Sequence, residues 1–249
     1  MAKKIKKKVQ AKKTIRKSSS KVDQWLKRES VHQRKALENA SRHFDKNDAL
    51  TVHHLEAIYG QESSFGLLRR KRGMKGAAGD FQLERTTATR MGLSANKEND
   101  QRFDIDDASA ASAKYLKTLD DIFSKKKKLG QGIQSIPIKN KSERIKFVIA
   151  AFNGGEGRIA LAQRLAQKDG KAPDSWSVVS EYLRKAGASA AKVNEIKNYV
   201  EDVTKNSDEF SHKSKADSSV KNKKPKKESL SPKGGHWITK SGRHILIGD

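Results

Sequence analysis

The chain has 249 residues, which is enough for one ordinary domain with extensions or for two small domains. Hydrophobic residues make up 34% and charged residues 33%, with a mean hydropathy of −0.85, so the composition excludes a compact globule over the whole length and any membrane-spanning run. The net charge of +25 lies mostly at the two ends, because residues 1–21 contribute +10 and residues 211–249 contribute +7.

The N-terminal residues 1–21 are predicted to form a basic, disordered arm. No apolar stretch follows this arm, so the sequence does not predict a secretory signal. Lys-rich ends attract anionic polymers, such as nucleic acid, teichoic acid or lipopolysaccharide, through counterion release. The simpler interpretation is that they are solvated tails that keep the protein soluble, and the charge alone does not decide between the two.

Residues 22–46 are predicted to form one charged lead helix with sparse apolar contacts. Asn47 or Asp48 then offers an N-cap for a second helix with apolar residues at mixed helical spacing. This helix should end near Glu62, since the following Ser-Ser-Phe-Gly sequence and a basic, Gly-containing stretch favour a loop.

The clearest helix begins at Asp106-Asp107, whose negative charge suits the positive end of a helix dipole. Its apolar residues recur every three or four positions and predict one buried stripe. They are Ala108, Ala111, Tyr115, Leu119 and Ile122. Shorter helices are predicted at Thr86–Met91, at Ser142–Ala151, after Gly154-Gly155, at 178–183 and at 196–203. Residues 47–206 lack strand-like alternation, so we predict an all-α domain there.

Residues 207–235 are rich in Lys, Ser and Asp and are predicted to be a linker. Residues 236–249 differ, because two β-branched and apolar runs flank a Ser-Gly pair. That pattern is typical of a β-hairpin, which would be marginally stable alone.

The most informative residue is Glu62, a lone carboxylate at the end of an apolar helix. Two Gly-rich turns follow later in the chain, and they supply Gln82 in one case and Phe152-Asn153 in the other. The negative end of the helix dipole and apolar neighbours would both raise the pKa of the Glu62 carboxyl. A group that stays protonated near neutral pH is suited to act as a general acid in glycosidic cleavage.

In order and spacing these motifs resemble the soluble lytic transglycosylase family, whose catalytic domain has a lysozyme-like helical fold. The family's Glu-Ser pair is similar to Glu62-Ser63, and its Gly-Ala-x-Gly-Leu-Met-Gln turn is similar to residues 76–82. Its Thr-Ala, Tyr-Leu, Ala-Tyr-Asn-Ala-Gly and Tyr-Val motifs are similar to Thr87-Ala88, Tyr115-Leu116, residues 151–155 and Tyr199-Val200. The likeness extends over residues 47–206.

The resemblance implies cleavage of the bond between N-acetylmuramic acid and N-acetylglucosamine in peptidoglycan, with Glu62 as the catalytic acid and base. The product would be a 1,6-anhydro sugar, formed without water and without a second carboxylate, unlike two-carboxylate glycosidases. The resemblance also implies that substrate contacts come from Ser63, Gln82, Tyr115, Phe152 and Asn153. Cleavage would take place in the cell wall or periplasm, with delivery by a phage virion or a secretion apparatus.

The chain departs from the family pattern at several positions. Phe152 stands where the family has a tyrosine, which removes a hydroxyl that could bond Glu62 or the sugar. Asp80 and Glu84 flank Gln82, and goose-type lysozymes of similar fold place acids near this turn to hold a water. Either acid would make hydrolysis to a reducing end feasible, unless both are only surface residues on the turn.

No cofactor or metal is predicted. Cysteine is absent, which excludes disulfides and thiolate sites, and the adjacent His53 and His54 would face different ways on a helix. A competing hypothesis is a non-catalytic structural or virion protein that grips glycan, with Lys-rich tails that bind nucleic acid or anionic wall polymers.

Overall fold

The computed structural model describes residues 19–69, 72, 76–221, 235–240 and 243–248. Most of the predicted basic arm, residues 1–18, and residues 222–234 of the predicted linker lie outside this part. The chain divides into two units, Met1–His212 and Lys213–Asp249. The described part of the first unit is helical and has no strand, which confirms the predicted all-α fold class.

The helices follow one another in the order that the sequence pattern predicts, except that two helices replace the single lead helix predicted at the N-terminus. They are α1 (Lys21–Arg28), α2 (Val31–Ser41), α3 (Val52–Ser63), α4 (Arg85–Arg90), α5 (Ile105–Ser124), α6 (Lys141–Gly154), α7 (Glu156–Lys168), α8 (Trp176–Val179) and α9 (Ala190–Lys221). Single 3₁₀ turns lie at Gln101–Phe103, Gly130–Gly132 and Ser180–Tyr182.

The centre of the first unit is α5, which packs against α2 on one side and α6 on the other. Its predicted apolar stripe is buried throughout. The helix starts earlier than expected, because the Asp104 side chain accepts hydrogen bonds from the backbone N–H groups of Asp106 and Asp107 at 3.0 and 3.1 Å. Asp106 and Asp107 therefore lie in the first turn and are not the cap.

The predicted single lead helix over residues 22–46 is in fact two helices. Ser30 forms a capping box with Gln33 that starts α2, so the chain turns between Arg28 and Val31. Both helices belong to the core: Leu37 is fully buried, and the Trp25 indole lies against the backbone of Gly60 in α3. The helical unit therefore begins well before residue 47.

The last helix also runs beyond its predicted end at residue 206 and replaces the predicted linker over residues 207–221. The reason is Phe210, which is 2% exposed and stacks on Trp25 with 6.2 Å between ring centroids. One buried aromatic ring in a polar stretch is too weak a periodic signal to predict a helix.

Backbone pairing in the second unit joins β1 (Gly235–Lys240) and β2 (Arg243–Gly248) into an antiparallel ladder. The two strands match the segment predicted to form a hairpin, residues 236–249, except that β1 begins one residue earlier at Gly235; Trp237 lies opposite Leu246. Among the helices that the structure describes, none has the length and apolar character needed to cross a membrane.

Candidate active site

A cavity of about 700 Å³ opens where the end of α3, the turn before α4, the junction of α6 with α7, and α9 meet. The side chains that line the cavity come from these elements, from α4 itself and from α5. The lining residues are Glu62, Ala77, Gln82, Leu83, Glu84, Thr86, Thr87, Arg90, Tyr115, Phe152, Asn153, Gly154, Gly155, Glu156, Lys192 and Glu195.

Glu62 lies in the last turn of α3, where the helix stops because Ser64 adopts a left-handed conformation with φ 53°. Burial raises the pKa of the Glu62 carboxyl to about 7, even though a hydrogen bond from Tyr199 acts in the opposite direction. The Tyr199 hydroxyl donates to Oε1 of Glu62 at 2.6 Å. A half-protonated carboxyl near neutral pH therefore faces the cavity.

Tyr199 belongs to one of the motifs that carry the resemblance, but its contact with Glu62 was not predicted from the sequence. It lies on α9 among Ile196, Val200 and Val203, so its spacing indicates core packing, and the residue is indeed 6% exposed. A tyrosine hydroxyl in a core needs a hydrogen-bond partner, and the partner here is Glu62. This requirement, and the likeness of Tyr199-Val200 to the family's Tyr-Val motif, were the signals in the sequence that pointed beyond packing.

Gln82 lines the cavity from a sharp turn and has a positive φ of 45°. Its side-chain amide donates to the carbonyl oxygen of Gly79 at 2.7 Å, which fixes the side chain across the turn. Buried Arg102 holds the turn from behind, since its Nη1 donates to the carbonyl oxygens of Gly76 and Leu83. Gly79 must be glycine, because a Cβ would lie 1.8 Å from the Arg102 carbonyl oxygen.

The two acids beside Gln82 take different places. Asp80 is 1% exposed and points away from the cavity, where its Oδ2 accepts from Arg69 at 3.3 Å. It is therefore neither a surface residue nor a residue that lines the cavity. Glu84 is exposed and lines the cavity.

Tyr115 and Phe152 form an aromatic wall, with 5.5 Å between their ring centroids. The Tyr115 hydroxyl donates to Oε2 of Glu156 at 3.0 Å, and Arg90 pairs with the other carboxylate oxygen at 2.8 Å. Burial would raise the pKa of Glu156, but its bonds with its own backbone N–H, Arg90 and Tyr115 outweigh burial and lower it. Glu156 is thus held as an ion in the cavity wall.

Asn153 lines the cavity within a small polar network beside Glu62. Its amide nitrogen donates to Oε1 of Glu195 at 3.0 Å, and its oxygen accepts from Lys192 at 3.1 Å. Lys192 also pairs with Glu195 at 2.8 Å. Burial alone would raise the pKa of Glu195, but the bonds from Lys192 and Asn153 lower it. The sequence motif predicted a role for Asn153, whereas no local pattern predicted one for its α9 partners Lys192 and Glu195.

Ser63 is the one predicted contact residue that the structure does not bring to the cavity. It is fully buried, and its Oγ accepts from the Gly66 backbone N–H at 3.0 Å while lying 3.3 Å from the Tyr59 carbonyl oxygen, to which it donates. Successive residues of a helix point about 100° apart, so Ser63 turns inward where Glu62 turns outward. Ser63 therefore stabilises the turn that follows α3.

The two adjacent histidines do not meet at a common site. His53 contacts Glu56 at 2.8 Å, whereas His54 packs on the helix cap at Thr51. Within the described ranges, no group of His, Asp and Glu side chains has the arrangement of a metal site.

In a comparison with known protein families, residues 40–175 match the transglycosylase SLT domain. The chain is 32% identical over 139 residues to a membrane-bound lytic murein transglycosylase F of Cronobacter sakazakii, covering 52% of this chain and 23% of that protein. A protein with the same name from Pseudomonas fluorescens is 30% identical over 156 residues, and this match covers 61% of this chain and 28% of that protein. Another from Aeromonas hydrophila is 29% identical over 159 residues, and this match covers 60% of this chain and 28% of that protein. The chain thus spans about a quarter of the length of these relatives.

Replacement of the Glu62 carboxyl by an amide in Glu62→Gln tests its burial directly. The folded-state pKa of Glu62 is raised from 4.5 to about 7, so ionisation of Glu62 destabilises wild type as the pH rises through this window, and the variant lacks this contribution. The difference in the free energy of unfolding, variant minus wild type, should therefore increase by about 1–3 kcal/mol between pH 4.5 and pH 8. Urea unfolding at both pH values measures this change.

The exposed Glu98→Gln variant is the matched control and should show no comparable pH-dependent gain. Burial also raises the pKa of Glu29 to about 7. Glu29 is present in wild type and in both variants, so its contribution to the pH dependence of stability cancels in the comparison. A difference between wild type and Glu62→Gln that stays constant with pH would contradict the raised pKa.

Proposed function

The chain belongs to the transglycosylase SLT domain family, and from this membership and the cavity geometry we propose that it is a peptidoglycan lytic transglycosylase with Glu62 as its single acid and base. One observation supports the proposal above all others. A buried carboxyl with a pKa near 7 faces a cavity in which Glu156 and Glu195 are held as ions. Such a carboxyl can both deliver and recover a proton at neutral pH.

In the first step, protonated Glu62 donates its proton to the oxygen that links N-acetylmuramic acid to N-acetylglucosamine. The bond from C1 to that oxygen breaks, and the N-acetylglucosamine side leaves with a new hydroxyl. The acetamido oxygen of the muramyl sugar bonds C1 and gives an oxazolinium intermediate. The Glu62 carboxylate that forms is stabilised by the Tyr199 hydroxyl, which already donates to it.

In the second step, the Glu62 carboxylate accepts the proton of the muramyl C6 hydroxyl. The C6 oxygen attacks C1, the bond between C1 and the acetamido oxygen breaks, and a 1,6-anhydro sugar results. Glu62 returns to its protonated state, so no water is consumed and one carboxyl completes the cycle. A second carboxylate has no task in this sequence, in contrast to two-carboxylate glycosidases.

Substrate positioning is assigned to the side chains that surround Glu62. Asn153 stands beside Glu62 and is oriented by Lys192 and Glu195, so its amide is pre-set for the acetamido group of a sugar. Gln82 keeps hydrogen-bonding capacity beyond its bond to Gly79, since an amide has two donors and an acceptor. Tyr115 and Phe152 present apolar rings against which sugar faces can lie.

A hydrolase of the same fold is the second candidate, because the cavity offers two further carboxylates near the turn and α9. Glu84 and Glu195 both line it and could hold a water, whereas buried Asp80 is turned away. Glu195 is committed to Lys192 and Asn153, which leaves Glu84 as the carboxylate free to take that role.

Digestion of purified peptidoglycan sacculi tests the proposal, with the released muropeptides read by mass spectrometry. Wild type should release anhydro-muropeptides. Glu62→Gln should lose at least about 10³-fold in rate, because the amide can neither donate nor recover the proton. Glu84→Gln is the matched control and should keep more than half of the wild-type rate.

Reducing-end products that disappear in Glu84→Gln would replace the lyase with a muramidase. Absence of release from several wall types would instead favour a glycan-binding protein without activity. Turnover that survives in Glu62→Gln would contradict the role given to Glu62.

The Lys-rich ends extend the proposal to partners. We assign them a role in binding anionic polymers, since residues 1–21 carry ten basic residues and no acid. The place of action would be the cell wall or periplasm, and delivery by a virion or secretion apparatus stays a prediction. Retention of the full chain on immobilised teichoic acid should fall steeply between 50 and 500 mM salt, on the order of tenfold or more. Retention that does not depend on salt would contradict an electrostatic role.

A further inference from the structure

Three large hydrophobic side chains are exposed in the described part of the chain, and two of them are adjacent in sequence. Leu67 and Leu68, in the turn after α3, are 62% and 69% exposed, and Val31, the first residue of α2, is 87% exposed. Single exposed apolar residues are ordinary, whereas several together are typical of an interaction surface. The apolar patch formed by these three residues does not line the cavity that contains Glu62.

The two turns that carry the apolar patch are bonded to each other. Nη1 of Arg28, at the end of α1, donates to Oγ of Ser64 at 3.0 Å. Nε2 of Gln33, in the first turn of α2, donates to the carbonyl oxygen of Phe65 at 3.5 Å. Both contacts join the α1–α2 turn to the turn after α3, so the three exposed side chains share one region of the surface.

The leucine pair is exposed because the backbone before it is fixed. Ser64, Phe65 and Gly66 all have positive φ angles, of 53°, 59° and 81°. The left-handed conformation is unfavourable for Ser and Phe, and it persists here because the buried Phe65 ring is anchored in the core. The Leu68 N–H then donates to the carbonyl oxygen of Ser63 at 2.8 Å. The leucines are therefore held at the surface by a defined turn.

Exposed cations lie in the same parts of the chain. Lys27 and Arg28 are exposed at the end of α1, and Arg72 is exposed in the loop after α3. Arg28 donates to a neutral hydroxyl, and the Arg72 guanidinium lies over the Phe103 ring at 4.9 Å, so both keep their positive charge. In sequence, residues 67–75 contain five Arg or Lys residues and no acid. The apolar patch therefore lies in a positive field.

Two carboxylates of the neighbouring elements are paired and turned inward. Glu29, at the end of α1, pairs with Arg34, and its side chain is 5% exposed. Asp80 pairs with Arg69 at 3.3 Å, and its side chain is 2% exposed. Neither carboxylate therefore offsets the exposed cations at the surface.

A fluid bilayer with anionic head groups matches this combination. Apolar side chains that project from a turn can enter the boundary between head groups and acyl chains, and arginine side chains can bond lipid phosphates. A bilayer also needs no complementary shape, which suits projecting side chains better than side chains that line a groove.

We propose that the apolar patch binds the surface of a phospholipid bilayer rich in phosphatidylglycerol. Leu67 and Leu68 enter the head-group region, and Arg28 and Arg72 contact the lipid phosphates. The contact goes beyond the proposed function and does not depend on it, because the patch lies outside the cavity. Its consequence is that the helical unit works at a membrane surface.

A dye at position 68 tests the insertion directly, because the chain has no cysteine of its own. Leu68→Cys carries an environment-sensitive dye on the full chain, and Gln167→Cys, at an exposed position of α7, is the matched control. With vesicles of phosphatidylglycerol and phosphatidylcholine in equal parts, emission from position 68 should shift to the blue, and nitroxide-labelled lipid should quench it. The dye at position 167 should show neither effect, and vesicles of phosphatidylcholine alone should change neither dye.

Co-sedimentation with the same anionic vesicles at about 150 mM salt measures the strength of the contact. Leu67→Ser/Leu68→Ser should partition about tenfold more weakly than wild type, because the exposed pair no longer gains from leaving water. Leu67→Met/Leu68→Met keeps apolar side chains and should stay within about twofold of wild type. All three proteins carry the same Lys-rich ends, so the ratios between them report the patch alone.

Three results would overturn the inference. The first is co-sedimentation without a blue shift at position 68, or with the same shift at position 167, because the Lys-rich ends alone would then hold the protein on the vesicle. The second is equal partition by the two double variants. The third is a blue shift at position 68 that grows with protein concentration in the absence of vesicles, which would mean that a second copy of the chain covers the patch.

Discussion

The hydrogen bond between Tyr199 and Glu62 is the contact on which the site depends. It is 2.6 Å long and joins residues 137 positions apart, so the carboxyl is in place only when α9 has docked against the end of α3. Docking of α9 depends in turn on the N-terminal helices, because Phe210 of α9 stacks on Trp25 of α1. The two segments that the sequence analysis left outside the domain are therefore the ones that hold the acid in position.

A second constraint is electrostatic. Several carboxylates stand in or near the cavity, and each of three has its own cation: Arg90 for Glu156, Lys192 for Glu195 and Arg69 for Asp80. Among the described residues, Glu62 differs from these three in having no ion pair: its partner is the Tyr199 hydroxyl, and it is buried at a helix C-terminus. Ion pairing lowers the pKa of Glu156 and Glu195 in the cavity, whereas burial raises the pKa of Glu62 to about 7; burial also raises the pKa of Asp80, which lies outside the cavity lining. This separation of protonation states is what one-carboxyl chemistry requires.

Local signals accounted for much of the site. Glu62 at a helix end, Gln82 in a Gly-rich turn and Phe152-Asn153 before a Gly-Gly break all follow from short stretches, and all of them line the cavity. The inward orientation of Ser63 follows from its helical position next to Glu62, whereas the burial of Asp80 and its pair with Arg69 depend on the tertiary structure. Lys192 and Glu195 come from a helix whose apolar pattern indicates only packing, and Tyr199 was marked only by its Tyr-Val motif. The roles of all three depend on tertiary contacts.

The central claim is that one buried carboxyl, tuned by Tyr199, delivers the proton, and the pH profile of kcat/KM on sacculi tests it most directly. Activity of wild type should fall as the pH rises through about 7, where Glu62 loses its proton. The Tyr199 hydroxyl lowers the pKa of Glu62, so Tyr199→Phe should move this limb upward by about 0.5–1 pH unit, with a lower maximum. A limb that stays in place or moves downward in Tyr199→Phe would contradict the account.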